Sequence, residues 1–288
     1  MLNTGGLATM PRKQRKEFDF SRKDFNFLAE LVSGQTGIVL KATKYEMVYS
    51  RLARRIRQLG LKSFKNYVEL IREDPSGAEL HALVDAMTTN LTKFFRESYQ
   101  LKDFGCRLRE MEKTQRGGVK KLRVWSAGCS SGQEPYSIAM IAASVLGDCS
   151  SRDILVLATD IDRNMLQKGR SGVYTSAEVS SLPEKFADKY IRDCAEGHYE
   201  IDPAVKQLVR FKQLNLLHDW PMQNGFDFIF CRNVLIYFDA ETKDSLVDQF
   251  SGKLNPGGML YLGHSEALIG DRQAIAPSGR ASFRKVAS

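Results

Sequence analysis

The chain has 288 residues, of which 43% are hydrophobic and 26% charged, and its formal net charge is +8. This balance is typical of a soluble globular protein, and the length favours two domains. It excludes a membrane-spanning protein, because no apolar run approaches the roughly 20 residues that a transmembrane helix needs.

The cysteines, the histidines and the first residues indicate which kinds of protein are disfavoured. The 5 cysteines never form a CxxC pair and the 4 histidines form no HxxxH pair, so we expect neither a disulfide framework nor a metal site. The first 16 residues contain no apolar stretch like that of a secretion signal, and we therefore expect a cytoplasmic protein. The positive charge leaves nucleic acid, anionic lipid and an acidic protein surface open as partners.

Helical periodicity dominates the first part of the chain and predicts a small bundle of amphipathic helices. The first helix is closed by Gly34, the second covers residues 44–59, Ser63 caps the third, and the fourth starts at Gly77. A polar segment then interrupts the periodicity and indicates a hinge between domains. We place the helical domain at 17–92, a linker helix at 93–118 and a second domain at 119–288.

In the second domain strands and helices alternate, which is typical of a parallel sheet covered on both faces. Between about 176 and 215 this rhythm changes, and short strands at 198–201 and 208–211 predict an inserted subdomain. The strands of the main sheet are predicted at 122–126, 154–160, 226–231, 259–262 and 281–286.

The loop after the first of these strands is the most informative segment. Gly128 and Gly132 permit a tight turn and a close approach of the backbone to a ligand, and Pro135 suits the first position of the helix that follows. The free N–H groups at that helix start favour a carboxylate or phosphate. Asp160, at the end of the next strand, suits hydrogen bonds to ribose hydroxyls. The spacing is not GxGxxG, but loop and acid together predict an adenosine-bearing ligand.

Further stretches complete a recognisable pattern. They are TTNLTKFFRE at 88–97, NLL at 215–217, FDFIFCRNVLIYFD at 226–239, and NPGG at 255–258 followed by GHSE at 263–266. With these in family order, the chain resembles the chemotaxis receptor glutamate O-methyltransferases, the CheR family. The resemblance implies an α/β fold with an N-terminal small helical bundle. It also implies a Rossmann-like class I S-adenosylmethionine methyltransferase domain with an inserted small antiparallel β-subdomain.

The resemblance also implies the reaction and the residues of the site. A receptor glutamate takes the methyl of S-adenosylmethionine and leaves S-adenosylhomocysteine. Because that carboxylate is already ionised at pH 7 and the leaving sulfonium needs no proton, no general base is required. Arg96 and Tyr237 are the implied catalytic pair nearest the methyl. The implied cofactor contacts are Asn90, Thr92, Arg96, Glu134, Asp160, Asn215, Leu216, Arg232 and Asn233.

The implied partner is the cytoplasmic region of methyl-accepting chemotaxis receptors, bound by a monomer without nucleic acid or membrane insertion. In the resembled family the second helix faces the acidic methylation region of the receptor. Some members also capture a peptide at the receptor C-terminus through a glycine-containing loop of the inserted subdomain. The corresponding link at 193–197 is short here, so we expect no dependence on such a peptide. The implied receptor-binding residues are Arg51, Arg54, Arg55 and Arg57.

Simpler interpretations remain open for single residues. Glu134 also fits a plain helix-start carboxylate, Tyr237 a core tyrosine, and Arg96 an ion pair with Glu97 or Asp103. The four arginines also fit an ordinary solvated face. Segment 263–266 fits a turn at the sheet edge, and the two cysteines near the site, Cys129 and Cys231, are interpreted as small packing residues.

Other functions are disfavoured by particular residues. An enzyme of this cofactor class acting on nucleic acid would carry an Asn-Pro-Pro-Tyr stretch, or a proline before its cysteine, and Cys231 follows Phe230. A nicotinamide dehydrogenase would show a third glycine and an acid about 20 residues on, closer than Asp160. A non-catalytic receptor-binding module is disfavoured by intact Asn90, Arg96, Glu134, Asp160 and Tyr237.

Overall fold

The computed structural model describes residues 16–74, 76–88, 90–266 and 273–286. The helices are α1 (Arg22–Thr36), α2 (Tyr45–Gln58), α3 (Phe64–Glu73), α4 (Ala78–Met87), α5 (Ser98–Thr114), α6 (Gln133–Leu146), α7 (Arg163–Ser171), α8 (Ser176–Val179), α9 (Glu184–Tyr190), α10 (Pro203–Lys206) and α11 (Ala240–Lys253). The strands are β1 (Lys121–Ala127), β2 (Asp153–Asp160), β3 (Val173–Thr175), β4 (Ile191–Ala195), β5 (His198–Ile201), β6 (Val209–Gln213), β7 (Phe226–Cys231), β8 (Leu254–Leu262), β9 (Ile275–Gly279) and β10 (Ser282–Lys285).

Helices α1 to α4 pack their apolar stripes into one core. Leu28 of α1 and Leu52 and Ile56 of α2 are fully buried there. Ser63 caps α3 as predicted, since its hydroxyl accepts the N–H of Asn66 at 3.2 Å. Helix α1 does not end at Gly34, and that prediction is wrong. The helix ends at Gly37, whose backbone is left-handed (φ 68°) and whose N–H bonds to the carbonyl of Ser33 at 2.7 Å.

The second domain is built on a seven-stranded sheet in the order β6-β2-β1-β7-β8-β10-β9. The first five of these strands run parallel, and β10 pairs antiparallel with β8. Side chains on both faces of β1 are buried, with Val124 against the α5 and α6 side and Trp125 against the α11 side. The parallel strands therefore end at one edge of the sheet, where ligands of doubly wound folds bind.

The inserted subdomain is smaller than predicted. Its three strands form an antiparallel sheet in the order β3-β5-β4, and β4 and β5 are joined by a turn at 196–197. The assignment of residues 208–211 to this subdomain is wrong. Strand β6 pairs in parallel with β2 along Val156 to Asp160 and forms an edge of the main sheet. Alternating burial along β6 fits an edge position as well as a subdomain strand, so the sequence pattern could not separate the two.

The C-terminal strands form an antiparallel extension of the sheet. The predicted last strand is β10, and β9 beside it was not predicted. Strand β8 begins at Leu254 and bulges between its pairings with Phe226 and Phe228, which places the predicted turn at 255–258 inside the strand. Within the described residues, no helix combines the length and apolarity needed to cross a membrane.

Candidate cofactor and substrate site

A cavity of about 230 Å³ lies where the helical domain meets the carboxyl ends of the parallel strands. The helical domain contributes Thr36, Ile38 and Met87 to its wall. The segment that joins the two domains, the start of α5, and the strand ends with their loops supply the rest. All of the predicted cofactor-binding and catalytic residues line this one cavity: Asn90, Thr92, Arg96, Glu134, Asp160, Asn215, Leu216, Arg232, Asn233 and Tyr237.

The loop after β1 lies close to the cavity because its glycines leave room. The N–H of Gly128 bonds to the carbonyl of Thr159 at 2.8 Å, which ties the loop to β2. A Cβ at Gly132, whose φ is 97°, would lie 2.8 Å from the hydroxyl of Tyr174, so only glycine fits. Helix α6 begins at Gln133, which makes Pro135 its third residue rather than its first. Its missing N–H still costs nothing in the first helical turn.

Asp160 is held at the end of β2 by two backbone donors. Its Oδ2 accepts the N–H of Ser130 at 2.7 Å, and its Oδ1 accepts the N–H of Asp162 at 2.9 Å. Burial raises the pKa of Asp160 to about 6, although these hydrogen bonds oppose the shift. The carboxylate is thus oriented at the cavity wall and still ionised at neutral pH.

Asp162 is a site residue that sequence reasoning missed. It is 2% exposed, and its Oδ1 caps α7 by accepting the N–H of Asn164 at 2.9 Å. Its Oδ2 accepts the side-chain amide of Asn90 at 2.8 Å and the hydroxyl of Thr88 at 3.0 Å. Asp162 therefore orients the Asn90 amide at the junction between the domains. The signal was present, since an aspartate two residues after Asp160 opens a helix.

Arg232 lies between two carboxylates at the cavity wall. Its side chain is 1% exposed, and its Nη1 is 3.1 Å from Glu134 while its Nη2 is 3.4 Å from Glu97. Burial raises the pKa of Glu134, and the charge of Arg232 and a 2.7 Å bond from the hydroxyl of Ser126 oppose that shift. Glu134 is therefore more than a helix-start carboxylate, because it pairs with a buried cation.

Glu97 links this buried group to His264. Burial on its own would raise the pKa of Glu97, but the hydrogen bond with His264 and the charge of Arg232 outweigh it, and its pKa lies below the ordinary value. The Nδ1 of His264 is 2.8 Å from Glu97 Oε1. The carboxylate remains ionised, which keeps Arg232 fixed in place.

Two buried polar atoms of residues that line the cavity form no hydrogen bond within the described part of the chain. Among the described residues, neither Nε of Arg232 nor Oδ1 of Asn233 has a hydrogen-bond partner, and both are buried. A buried polar atom without a partner costs about 1–3 kcal/mol. One is a donor and the other an acceptor, so the wall fits a ligand with both kinds of polar atom, such as the amino-acid and nucleoside parts of S-adenosylmethionine.

Glu266 is a second residue that sequence reasoning missed. It is 7% exposed, and its carboxylate accepts the N–H of Asn233 at 3.0 Å, of Ile236 at 3.1 Å and of Gly263 at 2.5 Å. Burial raises its pKa, and these three bonds oppose the shift. Segment 263–266 is thus a turn that also holds Asn233 in its left-handed backbone (φ 60°). Sequence reasoning noted this stretch without assigning Glu266 a contact.

Tyr237 and Arg96 line the cavity from different segments of the chain. Tyr237 ends a short 3-10 turn, is only half-buried, and its carbonyl accepts the N–H of Val39 at 3.1 Å. This disfavours the core interpretation. Arg96 Nη1 donates to the carbonyl of Leu91 at 2.8 Å. The alternative partners of Arg96 are otherwise engaged, since Glu97 pairs with Arg232 as described and Asp103 pairs with Arg107 at 2.7 Å.

Asn215 connects the two domains. Its Nδ2 donates to the carbonyl of Gln35 at 2.7 Å, and its Oδ1 accepts the N–H of Leu217 at 3.0 Å. Both atoms of its amide are thus in use within the protein. Asn215 lines the cavity as predicted, but these bonds give it a structural task that the sequence did not indicate.

The four arginines of α2 do not share one open face, which corrects the sequence interpretation. Arg51 Nη1 caps the end of α4 by donating to three carbonyls, including that of Thr88 at 2.8 Å. Arg55 forms a two-fold pair with Glu79 at 2.7 and 3.0 Å, and Glu79 is 7% exposed. The remaining two are at the surface: Arg57 pairs with Glu17, and Arg54 is exposed.

The cysteines near the site are packing residues. Cys129 and Cys231 are both buried, and burial raises the pKa of each thiol well above the ordinary value. A thiol that remains protonated is a poor nucleophile.

Comparison with known proteins identifies the two domains. Residues 23–88 match the family model described as "CheR methyltransferase, all-alpha domain", and residues 90–282 match "CheR methyltransferase, SAM binding domain". The "Chemotaxis protein methyltransferase" of Klebsiella aerogenes is 39% identical, covering 91% of this chain and 88% of its own. The protein of that name from Escherichia coli is 38% identical, covering 91% and 90%.

A solved structure shares lower similarity. The magnesium protoporphyrin IX methyltransferase of Synechocystis PCC 6803, with bound SAH, is 15% identical at a TM-score of 0.33, covering 68% of this chain and 64% of its own.

The family matches cover most of the sequence and divide it where the helical bundle meets the cavity. This chain therefore belongs to the CheR methyltransferase family, and its cofactor is S-adenosylmethionine.

Proposed function

We propose that the protein methylates glutamate side chains in the cytoplasmic region of methyl-accepting chemotaxis receptors, giving glutamate methyl esters. The proposal places it in the cytoplasm, where that region of the receptor lies. The observation that carries it is the lining of one cavity by both the polar residues that suit the cofactor and the pair Arg96 and Tyr237. The names of the relatives support chemotaxis as the setting.

The cofactor would be held by groups at three positions. Asp160 would accept hydrogen bonds from the ribose hydroxyls, Asn90 would use the oxygen of its oriented amide, and Asn233 would offer its free Oδ1 to an ammonium or amide donor. S-adenosylmethionine supplies a methyl group activated on a sulfonium sulfur. The buried ion pairs around Arg232 keep this wall in place before the ligand binds.

Arg96 and Tyr237 would position the acceptor. A guanidinium orients a carboxylate through two parallel hydrogen bonds, and a tyrosine hydroxyl adds a third. Arg96 uses Nη1 for Leu91, and its other N–H groups would bind the substrate. Because the acceptor glutamate is ionised at pH 7, the residues need only align it and exclude water.

The decisive experiment follows a labelled methyl group. Membranes rich in receptor are incubated with the protein and methyl-labelled S-adenosylmethionine, and the label is then treated with mild base. We expect release as methanol, as a glutamate methyl ester requires. Label that stays bound after base would indicate methylation of nitrogen and contradict the proposal.

Tyr237→Phe tests the positioning role in the same assay. We expect turnover at saturation to fall about 10-fold or more, while S-adenosylhomocysteine affinity changes less than about 2-fold, because only the hydroxyl is lost. A matched control is Tyr190→Phe, since the Tyr190 ring is buried in the second domain away from the cavity wall. Reduced cofactor affinity with normal turnover would make Tyr237 a binding residue instead.

A further inference from the structure

The segment that carries Arg96 has an unusual backbone. Phe95 and Glu97, on either side of Arg96, both have left-handed backbones, with φ of 53° and 50°. A residue with a Cβ disfavours this region, so such a conformation persists only where surrounding contacts hold it. Because Arg96 lies between these two residues, the direction of its side chain depends on both of them.

Glu97 is held by groups of the main sheet. Its carboxylate is 3.4 Å from Nη2 of Arg232 and 2.8 Å from Nδ1 of His264. Arg232 also donates to the backbone carbonyl of Arg96. Arg232 lies just after β7 and His264 just after β8, so these contacts connect the C-terminal side of the segment to the main sheet.

Phe95 is held by two different elements. Its N–H donates to Oγ of Ser137 on α6 at 3.0 Å. Its ring packs against the ring of Phe186, with the centroids 4.7 Å apart and the planes at 34°. Phe186 is 8% exposed and belongs to α9, which precedes β4 in the inserted subdomain. The inserted subdomain therefore contacts the residue next to Arg96.

Phe94, the residue before Phe95, also contacts the inserted subdomain. It is 1% exposed, and its ring packs edge-on against that of Tyr174 in β3, with the centroids 5.0 Å apart. Its carbonyl accepts the hydroxyl of Ser181, which lies before α9, at 3.3 Å. The N-terminal side of the segment is thus held by the inserted subdomain, as its C-terminal side is held by the main sheet.

We propose that Phe186 is a positioning residue for methyl transfer, acting through Phe95 to direct the Arg96 guanidinium into the cavity. Without the Phe186 ring, Phe95 would relax to an ordinary negative φ, which turns the Arg96 side chain away from the acceptor. The inserted subdomain then supports the catalytic site, a role that requires no captured peptide. The inference rests on the proposed function, because that function assigns Arg96 to the acceptor.

Methylation of a soluble cytoplasmic receptor fragment tests this role. For Phe186→Ala we expect kcat/KM to fall about 10-fold, and for Phe186→Leu, which keeps an apolar side chain against Phe95, about 3-fold. Ile201→Ala is the matched control, because Ile201 is fully buried in β5 of the same subdomain and does not line the cavity. Its kcat/KM should lie within about 2-fold of wild type, at a temperature where every variant is folded.

A double-mutant cycle separates positioning from a general structural role. In Arg96→Lys a flexible ammonium replaces the rigid fork of the guanidinium, so the remaining rate no longer depends on how the segment is held. Adding Phe186→Ala to Arg96→Lys should therefore lower kcat/KM by less than about 2-fold. Losses that multiply would show that Phe186 acts independently of Arg96, and would overturn the inference.

Hydrogen exchange gives a second measurement that does not depend on activity. The Phe95 amide, which donates to Ser137, should exchange about 10-fold faster in Phe186→Ala and about 3-fold faster in Phe186→Leu, but unchanged in Ile201→Ala. If Phe186→Ala does not fold, Phe186→Leu carries both comparisons. Wild-type exchange or wild-type kcat/KM in the folded Phe186 variants overturns the inference. Failure of the wild-type protein to methylate any receptor fragment would instead overturn the proposed function.

Discussion

At the scale of single residues, Asp160 has a pKa that lies close to cellular pH. Burial raises its pKa from the ordinary value of 3.8 to about 6. The folded protein therefore holds this proton at a pH where the unfolded chain has lost it. Without ligand, the contribution of Asp160 to the free energy of unfolding falls as the pH rises from about 4 to above 6.

Cofactor binding should follow the opposite trend. Ribose hydroxyls donate to the ionised carboxylate, so we expect S-adenosylhomocysteine affinity to be constant above pH 7 and to weaken as the pH falls through about 6. Asp160→Asn should weaken binding at pH 8 by about 1–3 kcal/mol and remove this pH dependence. Calorimetry at several pH values measures both effects.

The competing group for such a titration is Asp85. Its pKa is also raised to about 6 by burial, with a contribution from the charge of Asp162. If Asp160→Asn keeps the wild-type pH dependence, the titrating group is not Asp160, and Asp85→Asn becomes the informative variant.

At the scale of elements, two arginines of α2 form hydrogen bonds to α4. Arg51 satisfies carbonyls at the end of α4, and Arg55 pairs with the buried carboxylate of Glu79. We expect Arg51→Ala and Arg55→Ala each to lower the free energy of unfolding by about 1–3 kcal/mol, because carbonyls or a carboxylate lose their partners. Urea unfolding with a helix-sensitive signal measures this.

Arg54→Ala is the control on the same helix. Arg54 is exposed, and we expect its loss to change stability by less than about 0.5 kcal/mol. Equal stability for all three variants would contradict the assignment of Arg51 and Arg55 as structural residues. A change in receptor kinetics after Arg51→Ala alone therefore cannot be assigned to receptor contact, whereas Arg54→Ala tests that contact directly.

The same helix illustrates what the sequence could predict. Periodicity located α2, and the apolar stripe placed Leu52 and Ile56 correctly in the core. The partners of the polar side were not predictable, because a charged residue at the surface of a helix has the same pattern whether it faces water or another helix. The cap at Ser63 was predicted correctly because it depends only on neighbouring residues. The prediction that Gly34 ends α1 was wrong because glycine is also tolerated inside a helix.

The residues that form the cavity were also predicted only in part. Residues in motifs were brought together as expected, since strand ends meet at one edge of a parallel sheet. Asp162 and Glu266 were missed because their importance depends on which distant N–H or amide they accept. The edge strand β6 was misassigned because strand pairing is a long-range property.

At the scale of the whole molecule, the inserted subdomain bears on whether a receptor peptide can be captured. Strands β4 and β5 are joined by a two-residue turn at 196–197, so no long loop is available to enclose a peptide. We expect a free peptide from the receptor C-terminus to bind with a Kd weaker than about 1 mM, and removal of that peptide to leave the methylation rate unchanged. Titration followed by calorimetry and assays on truncated receptors check this. Micromolar binding would show that the exposed edge of β4 captures the peptide without a loop.

Two hydrogen bonds at the end of α1 and just after it, Gln35 with Asn215 and Val39 with Tyr237, have a consequence for dissecting the protein. A fragment that starts at residue 90 contains every strand of the main sheet but lacks the segment against which Asn215 and Tyr237 are braced. Separating the halves would open one side of the cavity to water. On the proposed function the helical bundle is thus part of the catalytic enclosure, and lesions at 35–39 should resemble active-site lesions although they lie more than fifty residues before Asn90, the first of the predicted cofactor contacts.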